Sequence, residues 1–280
     1  MASDYLIHAD CLTALADLPE ATAHLIYLDP PFNTKVKRDY DDNFGSPQDY
    51  VAYMRPRLAE MARVLTPNGS LFFHCDWRAS HYVKLMLDEV FDVAIPQKRT
   101  PKPKTKTQDP KPVRGVFVNE IIWHYGLGAA RAKRQLLTKH DVIFWYAKSP
   151  NYTFNMLRGE PTKAMLAKYC HVAEDGRRYM MSYGRKYYLQ GGKPLDDVWE
   201  MPSIAATSGE RTGYPTQKPL ALLQRIINLA SNPNEVMLDP FCGSGTTAVA
   251  AKQLGRGWIG IDQSAKAIET AKGRIEKLRI

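Results

Sequence analysis

Two short segments set an acid against an apolar run and follow it with proline: LIYLDPPF (Leu25–Phe32) and VMLDPFCGSG (Val236–Gly245). An Asp in such a place is costly unless something binds it. Pro30 and Pro31 have no N–H, so the turn after Asp29 offers carbonyl oxygens and little donor capacity. Acceptors, a stiff backbone and the Phe32 ring together suit a flat group bearing an NH₂. The Asp29 carboxylate and the Pro30 carbonyl could each receive one of its hydrogens while its ring stacks on Phe32. Such an amine is a poor nucleophile, because its lone pair is delocalised into the ring. Accepting its hydrogen bonds and holding it in line with an electrophile addresses that difficulty. The competing reading is that Asp29 caps a turn and Phe32 fills the core.

The second segment reads as a strand ending at Asp239, a glycine turn, and a helix starting near Thr246; the next strand ends at Asp262. Strand, turn, helix, strand and acid in that order form the layout of a nucleotide-cofactor site. Gly243 and Gly245 let the backbone approach a ligand, and the second acid can hold ribose hydroxyls. Thr246 and Thr247 stand where a dinucleotide fingerprint would lead to its third glycine, a close approach that is unneeded without a pyrophosphate. There is no GxxxxGK[ST] loop, which disfavours nucleotide triphosphate hydrolysis.

The elements that position these residues alternate. Leu25–Leu28, Ser70–His74, Val236–Leu238 and Trp258–Ile261 read as buried strands, and the aromatic-rich Asp141–Lys148 as a fifth. Helical patterns lie between them: PQDYVAYMRPRLAEMARVL, RASHYVKLMLDEVF, and TAVAAKQLG closed by Gly255. Asn68-Gly69 is expected to turn the chain between the first of these helices and the following strand. The fold expected is α/β, a doubly wound, mostly parallel, Rossmann-like sheet with an inserted recognition region. In such sheets ligands sit outside the carboxyl ends of the strands, near the switch in strand order. Both Asp-Pro segments end there.

Two regions break the rhythm. Gln97–Pro112 is rich in Lys and Pro with almost no apolar residues, which suits an exposed loop or arm. Residues 151–202 carry GRRYMMSYGRKYYLQGG, where basic residues interleave with aromatics. That pattern suits phosphate tracking and base stacking, or simply a partly buried aromatic hairpin. The chain of 280 residues carries 38 Lys+Arg against 29 Asp+Glu, a net +9 that suits a polyanionic partner. Cys11, Cys75, Cys170 and Cys242 are too scattered for a zinc or dithiol site, so no metal is expected and reduced thiols in a cytosolic protein are. The start MASDYLIHAD lacks a signal-peptide pattern and no apolar run spans a membrane, so no membrane partner is expected.

DPPF at 29–32, FCGSG at 241–245, GYPTQKPLALLQRII before the glycine turn and HADCLTAL at 8–15 occur in one order. In these motifs the chain resembles the amino-methylating DNA methyltransferases in their beta arrangement, although His8-Ala9 replaces the usual glycine of the last motif. The resemblance implies that Asp29, Pro30, Pro31 and Phe32 receive a flipped base from double-stranded DNA. It implies S-adenosyl-L-methionine as cofactor, held by Asp239, Phe241, Cys242, Gly243, Gly245 and Thr246, with Asp262 on its ribose. Asp10 and Cys11 would meet the adenine edge, and Thr216 and Lys218 the methionine carboxylate. The organisation implied is a catalytic half at 1–95, a basic loop at 96–118, continued core at 119–149, a target-recognition insertion at 150–202 and a cofactor half at 203–280. A homodimer, a cognate restriction endonuclease and a nucleoid-associated cytoplasmic location rest on the same resemblance alone.

An aspartate before Pro-Pro leans toward N6 of adenine, with N4 of cytosine as the alternative. A nucleotide-cofactor oxidoreductase would use the same glycine turn but leaves DPPF and TQKP unexplained. A DNA-binding module without activity is the third reading. Changing Lys102, Lys104, Lys106 and Lys111 to Ala is expected to weaken DNA binding at all sequences and flatten its salt dependence, read from binding isotherms at several salt concentrations. Unchanged affinity would remove this loop as a phosphate contact.

Overall fold

A computed structural model describes residues 4–32, 44–93, 114–126, 134, 136–205 and 207–278, so the basic stretch Gln97–Pro112 lies outside them. Strand β1 (Tyr5–His8) leads to helix α1 (Cys11–Asp17), which Asp10 caps by accepting from Leu12 N at 2.9 Å. Strand β2 (Ala23–Leu28) is followed by helix α2 (Pro47–Val64). Ser46 and Asp49 form a capping box at the start of α2, and Pro47 occupies its first turn, where no N–H is missed. Tyr50, Met54, Leu58 and Met61 recur at helical spacing and are buried. Lys148 Nζ reaches Leu65 O at 2.6 Å and Arg63 O at 3.2 Å, placing a cation on the free carbonyls where α2 ends.

The expected turn at Asn68-Gly69 does not form. Strand β3 (Leu65–Cys75) begins at the residue that caps α2, and Asn68 and Gly69 lie inside it. A register irregularity against β2, between Ala23 and Leu25, absorbs the extra residues. Helix α3 (Ser80–Val90), strand β4 (Val116–His124) and strand β5 (His140–Ala147) follow. Residues 116–118 therefore belong to β4 rather than to the basic loop.

Residues Asn155–Asp196 form a compact unit of their own, holding α4 (Lys163–Lys168), β6 (His171–Val172), β7 (Arg178–Ser182) and β8 (Arg185–Tyr188). Its β7–β8 hairpin closes through Tyr183 and Gly184, both at positive φ (48° and 73°), as a two-residue turn matched to strand twist requires. Arg177 lies 4.3 Å over the Tyr188 ring and Lys186 lies 4.9 Å over that of Tyr179.

The larger unit resumes with β9 (Val198–Glu200), α5 (Leu220–Ala230), β10 (Val236–Asp239), α6 (Thr246–Gln253), β11 (Gly257–Asp262) and α7 (Ala265–Glu276). Its sheet among the described residues runs β1-β11-β10-β2-β3-β5-β4-β9. Pairing is parallel from β1 through β3, and β5 then runs antiparallel to both β3 and β4. Asp141–Lys148 is thus a strand as expected, but of opposite direction to its neighbours. Leu25, Ile26, Leu28, Met237 and Leu238 are wholly buried, as strands covered on both faces must be.

The chain leaves β2 toward β3 on one side and leaves β10 toward β11 on the other. The switch in strand order therefore falls between β2 and β10, paired through Met237↔Leu25 and Leu238↔Ile26. Gly245 caps α6 at φ 75°, and a Cβ there would meet Ala271 Cβ of α7 at 2.7 Å. Gly245→Ala is expected to lower stability by about 1–3 kcal/mol through strain and crowding, read by urea unfolding. An unchanged midpoint would mean that the turn tolerates a side chain.

Candidate active site

Both Asp-Pro turns open into one cavity of about 270 Å³ at the switch. It is lined by Asp10, Cys11, Asp29, Pro31, Thr216, Lys218, Asp239, Phe241, Cys242, Gly243, Thr246 and Asp262 among the expected residues. Pro30, Phe32 and Gly245 do not line it. Pro30 is buried behind the turn, and the Phe32 ring lies 5.8 Å from that of His74.

The glycine turn is fixed from several directions. Gly243 N donates to Asp262 Oδ2 at 2.9 Å and Ser264 N to Asp262 Oδ1 at 2.8 Å. Cys242 N donates to Ile261 O at 2.9 Å, tying the turn to the neighbouring strand. Arg274 of α7 donates to Ser244 O and Thr246 Oγ1, both at 2.9 Å. Thr247 Oγ1 donates to Asp239 Oδ2 at 2.5 Å and Phe241 N to Asp239 Oδ1 at 3.1 Å. Burial pushes the Asp239 carboxyl up to about 7 despite those donors, and the charges of Asp29 and Asp262 push the same way. Burial also raises the Asp262 carboxyl, and lifts the Cys11 thiol to about 12, so Cys11 packs as a neutral group.

Beside Asp262, where Ala9 N donates to its carbonyl, buried Arg57 donates to Asp10 Oδ2 at 2.8 Å and lies 3.6 Å over the Tyr53 ring. Burial pushes the Asp10 carboxyl up, yet Arg57 and two backbone donors outweigh it and hold it below its ordinary value. Lys218, expected near a cofactor carboxylate, places its ammonium on Asp29 Oδ2 and 5.5 Å from the Phe32 ring centre. Thr216 sits at φ 62°, a left-handed conformation for a β-branched residue. Asp29 Oδ1 is buried and has no hydrogen-bond partner among the described residues.

Tyr27 and Tyr214 also line the cavity, Arg57 and Arg274 brace it, and His74 with Asp141 lies behind Asp29; none of the six was singled out as a site residue. Their signal in sequence is slight: a His after an apolar run, and ordinary Tyr, Asp and Arg on elements far apart. Among the described residues, the cavity lining carries four acids, Asp10, Asp29, Asp239 and Asp262, against one lysine.

The sequence profile of a family described as DNA methylase matches residues 23–273. The chain belongs to this family. Its members are DNA methyltransferases that take the methyl group from S-adenosylmethionine. The enzyme is 30% identical over 276 residues to the type II methyltransferase M.HpaI of Haemophilus parainfluenzae, covering 97% of this chain and 74% of that protein. It is 28% identical to the DNA adenine methyltransferase YhdJ of Escherichia coli K12, over 97% of this chain and 82% of the relative. In fold it resembles M1.HpyAVI, solved with S-adenosylmethionine, at TM-score 0.62 and 23% identity over 98% of both chains. It also resembles the cytosine-N4-specific PvuII methyltransferase at TM-score 0.67 and 14% identity, over 100% of this chain and 89% of that one. No helix among the described residues is long and apolar enough to cross a membrane.

The raised acid of this methyltransferase has a measurable consequence. Folded Asp239 keeps a proton up to about pH 7 that the unfolded chain loses near 3.8. Its contribution to stability is thus complete below pH 3.8 and declines as pH rises toward about 7, with Asp262 acting in the same direction. Asp239→Asn is expected to flatten that decline in unfolding free energies measured across the window. A slope identical to wild type would mean that Asp239 is ionised in the folded state.

Proposed function

We propose that the enzyme methylates N6 of adenine in double-stranded DNA, with Asp29 receiving the exocyclic amine of a flipped base. The carrying observation is Asp29 Oδ1, a buried acceptor without a hydrogen-bond partner among the described residues, held beside the cofactor turn while Lys218 occupies the other oxygen. A buried acceptor left unmet costs about 1–3 kcal/mol, a debt that an N–H of the substrate would cancel. Because the base lies inside a duplex, it must be extruded to reach the cavity, at an unstacking cost of a few kcal/mol.

The cavity suits the family's cofactor in charge. Asp10 and Asp29 are paired with Arg57 and Lys218 and Asp239 holds a proton, so Asp262 is the acid left to favour a ligand's positive charge. Gly243, at φ 48°, keeps the turn free of side-chain atoms on the ligand's side, and the Asp262 oxygens retain lone pairs for ribose hydroxyls. Phe241, Cys242, Gly245 and Thr246 complete that turn, Asp10 and Cys11 form the adenine edge, and Thr216 closes the opposite end. When bound, S-adenosylmethionine supplies an electrophilic methyl and a neutral thioether leaving group. The chain's own task is to orient the amine and accept its hydrogen bonds, with Asp29 and the Pro30 carbonyl as acceptors and Phe32 as the stacking face.

Adenine is favoured by the acid before Pro-Pro and by the name of the YhdJ relative; the fold shared with a cytosine-N4 enzyme supports the second reading. Residues 155–196 are assigned to target recognition on their interleaved Arg, Lys and Tyr. A cognate endonuclease fits the type II relatives. Incubation with methyl-labelled cofactor and duplex DNA, then digestion to nucleosides, is expected to place label on adenine; label on cytosine alone would overturn that choice. Asp29→Ala is expected to reduce transfer by at least about 100-fold with DNA binding nearly intact. Equal transfer by mutant and wild type would remove Asp29 from the reaction.

A further inference from the structure

Behind Asp29 lies a polar chain that the reading above does not use. His74, on β3, is wholly buried and follows the apolar run Leu71–Phe73. Its Nδ1 lies 2.8 Å from the Tyr27 hydroxyl and 4.0 Å from Asp29 Oδ1, and its Nε2 lies 3.1 Å from Asp141 Oδ2. The Tyr125 hydroxyl lies 3.5 Å from the other Asp141 oxygen. The groups facing the imidazole are therefore Tyr27 of β2, Asp29 after it, Asp141 of β5, Tyr125 after β4 and, beyond Asp29, Lys218. Phe32 and Trp123 enclose the ring, their centroids 5.8 Å and 5.4 Å away.

We propose that His74, oriented by Asp141, is a positioning residue that takes through Asp29 the proton released when the amine is methylated. The inference rests on the assignment of Asp29 to the amine.

The tautomer follows from the neighbours. Burial pushes the Asp141 carboxyl up, but the His74 hydrogen bond and charge outweigh it and hold it below its ordinary value, so Asp141 is an ionised acceptor. Burial raises the Tyr27 hydroxyl far above its ordinary range, so it keeps its proton. With Nε2–H donated to Asp141, the neutral imidazole presents its Nδ1 lone pair toward the Tyr27 hydroxyl and Asp29. Methyl transfer forms the N–CH₃ bond from the amine lone pair, while the pair of the broken C–S bond stays on sulfur. The nitrogen becomes cationic, and one N–H pair collapses onto it as its proton passes to Asp29 Oδ1. That oxygen is buried, and its partner oxygen is held by Lys218, which leaves the Nδ1 lone pair as the adjacent base. As the Tyr27 hydroxyl turns aside, the proton moves to Nδ1, and imidazolium forms between two carboxylates, with Asp141 stabilising its charge through the Nε2–H. The Nδ1 proton then returns through Asp29, whose side chain is 16% exposed, to water, which restores the resting tautomer.

The test compares wild type with His74→Asn, His74→Gln and Asp141→Asn in the full chain. Wild type, labelled with ¹⁵N-histidine, is expected to show the Nε2–H tautomer for His74 without any ligand. Each His74 variant should lower the single-turnover rate by about 100-fold, the scale of a positioned proton acceptor, while the KM for DNA and the Kd for S-adenosylmethionine stay within about threefold. Asp141→Asn keeps an accepting oxygen but removes the charge that stabilises the imidazolium, and is expected to lose rate without losing binding. If the His74 variants do not fold, Asp141→Asn decides by the same split. An Nδ1–H tautomer, variant rates near wild type, or losses shared equally with binding would overturn the inference and leave the role of Asp29 standing. A wild type that methylates no amine would overturn both.

Discussion

The parallel pairing of β2 with β10 is the constraint on which the site depends. Two strands separated by more than two hundred positions in the chain lie side by side through Met237↔Leu25 and Leu238↔Ile26. Each ends in an Asp-Pro turn, and the pairing brings both turns to one rim where the strand order reverses. The strands are buried on both faces, so their alignment is fixed by packing, and a slip of one residue would send every side chain to the wrong face. Asp29 and Asp239 acquire their neighbours from this alignment.

Bringing acids together in a low-dielectric cavity has an electrostatic cost, and each acid meets it differently. Asp10 is paired with buried Arg57, and Asp141 with His74. Asp29 is balanced by Lys218. Asp239, which has no cation against it among the described ion pairs, keeps a proton to about pH 7. The outcome is a cavity whose acids are mostly balanced or protonated, with Asp262 facing it and one oxygen, Asp29 Oδ1, left for a donor from outside. This division suits a cationic ligand on one side and an amine on the other.

Low identity to the solved structures, 23% and 14%, beside closely matching folds shows how much of the scaffold survives change. Fold alone does not choose a base. The features on which the choice of base turns are local: an acid before Pro-Pro, Lys218 against it, and a basic aromatic hairpin in the 155–196 unit.

The sequence by itself determined the alternation of strands and helices, the glycine turn and the two Asp-Pro rims, because apolar runs, Gly-x-Gly and proline act over a few residues. The DPPF and FCGSG motifs carried the family and most of the cavity lining for the same reason. Local pattern failed where a distant partner decides the outcome. Asn68-Gly69 reads as a turn, yet it lies inside β3 at the irregularity against β2, where Thr153 N and Lys148 N donate to its carbonyls. The direction of β5 is set by its antiparallel partners β3 and β4 and leaves no mark in its own residues. Alternation with Asn119 and Glu120 hid β4 beside a lysine-rich stretch. Lys218 belongs to a legible motif, but only the fold places it on Asp29. His74, Tyr27 and Asp141 come from three strands, and their hydrogen bonds exist only once the sheet sets those strands side by side.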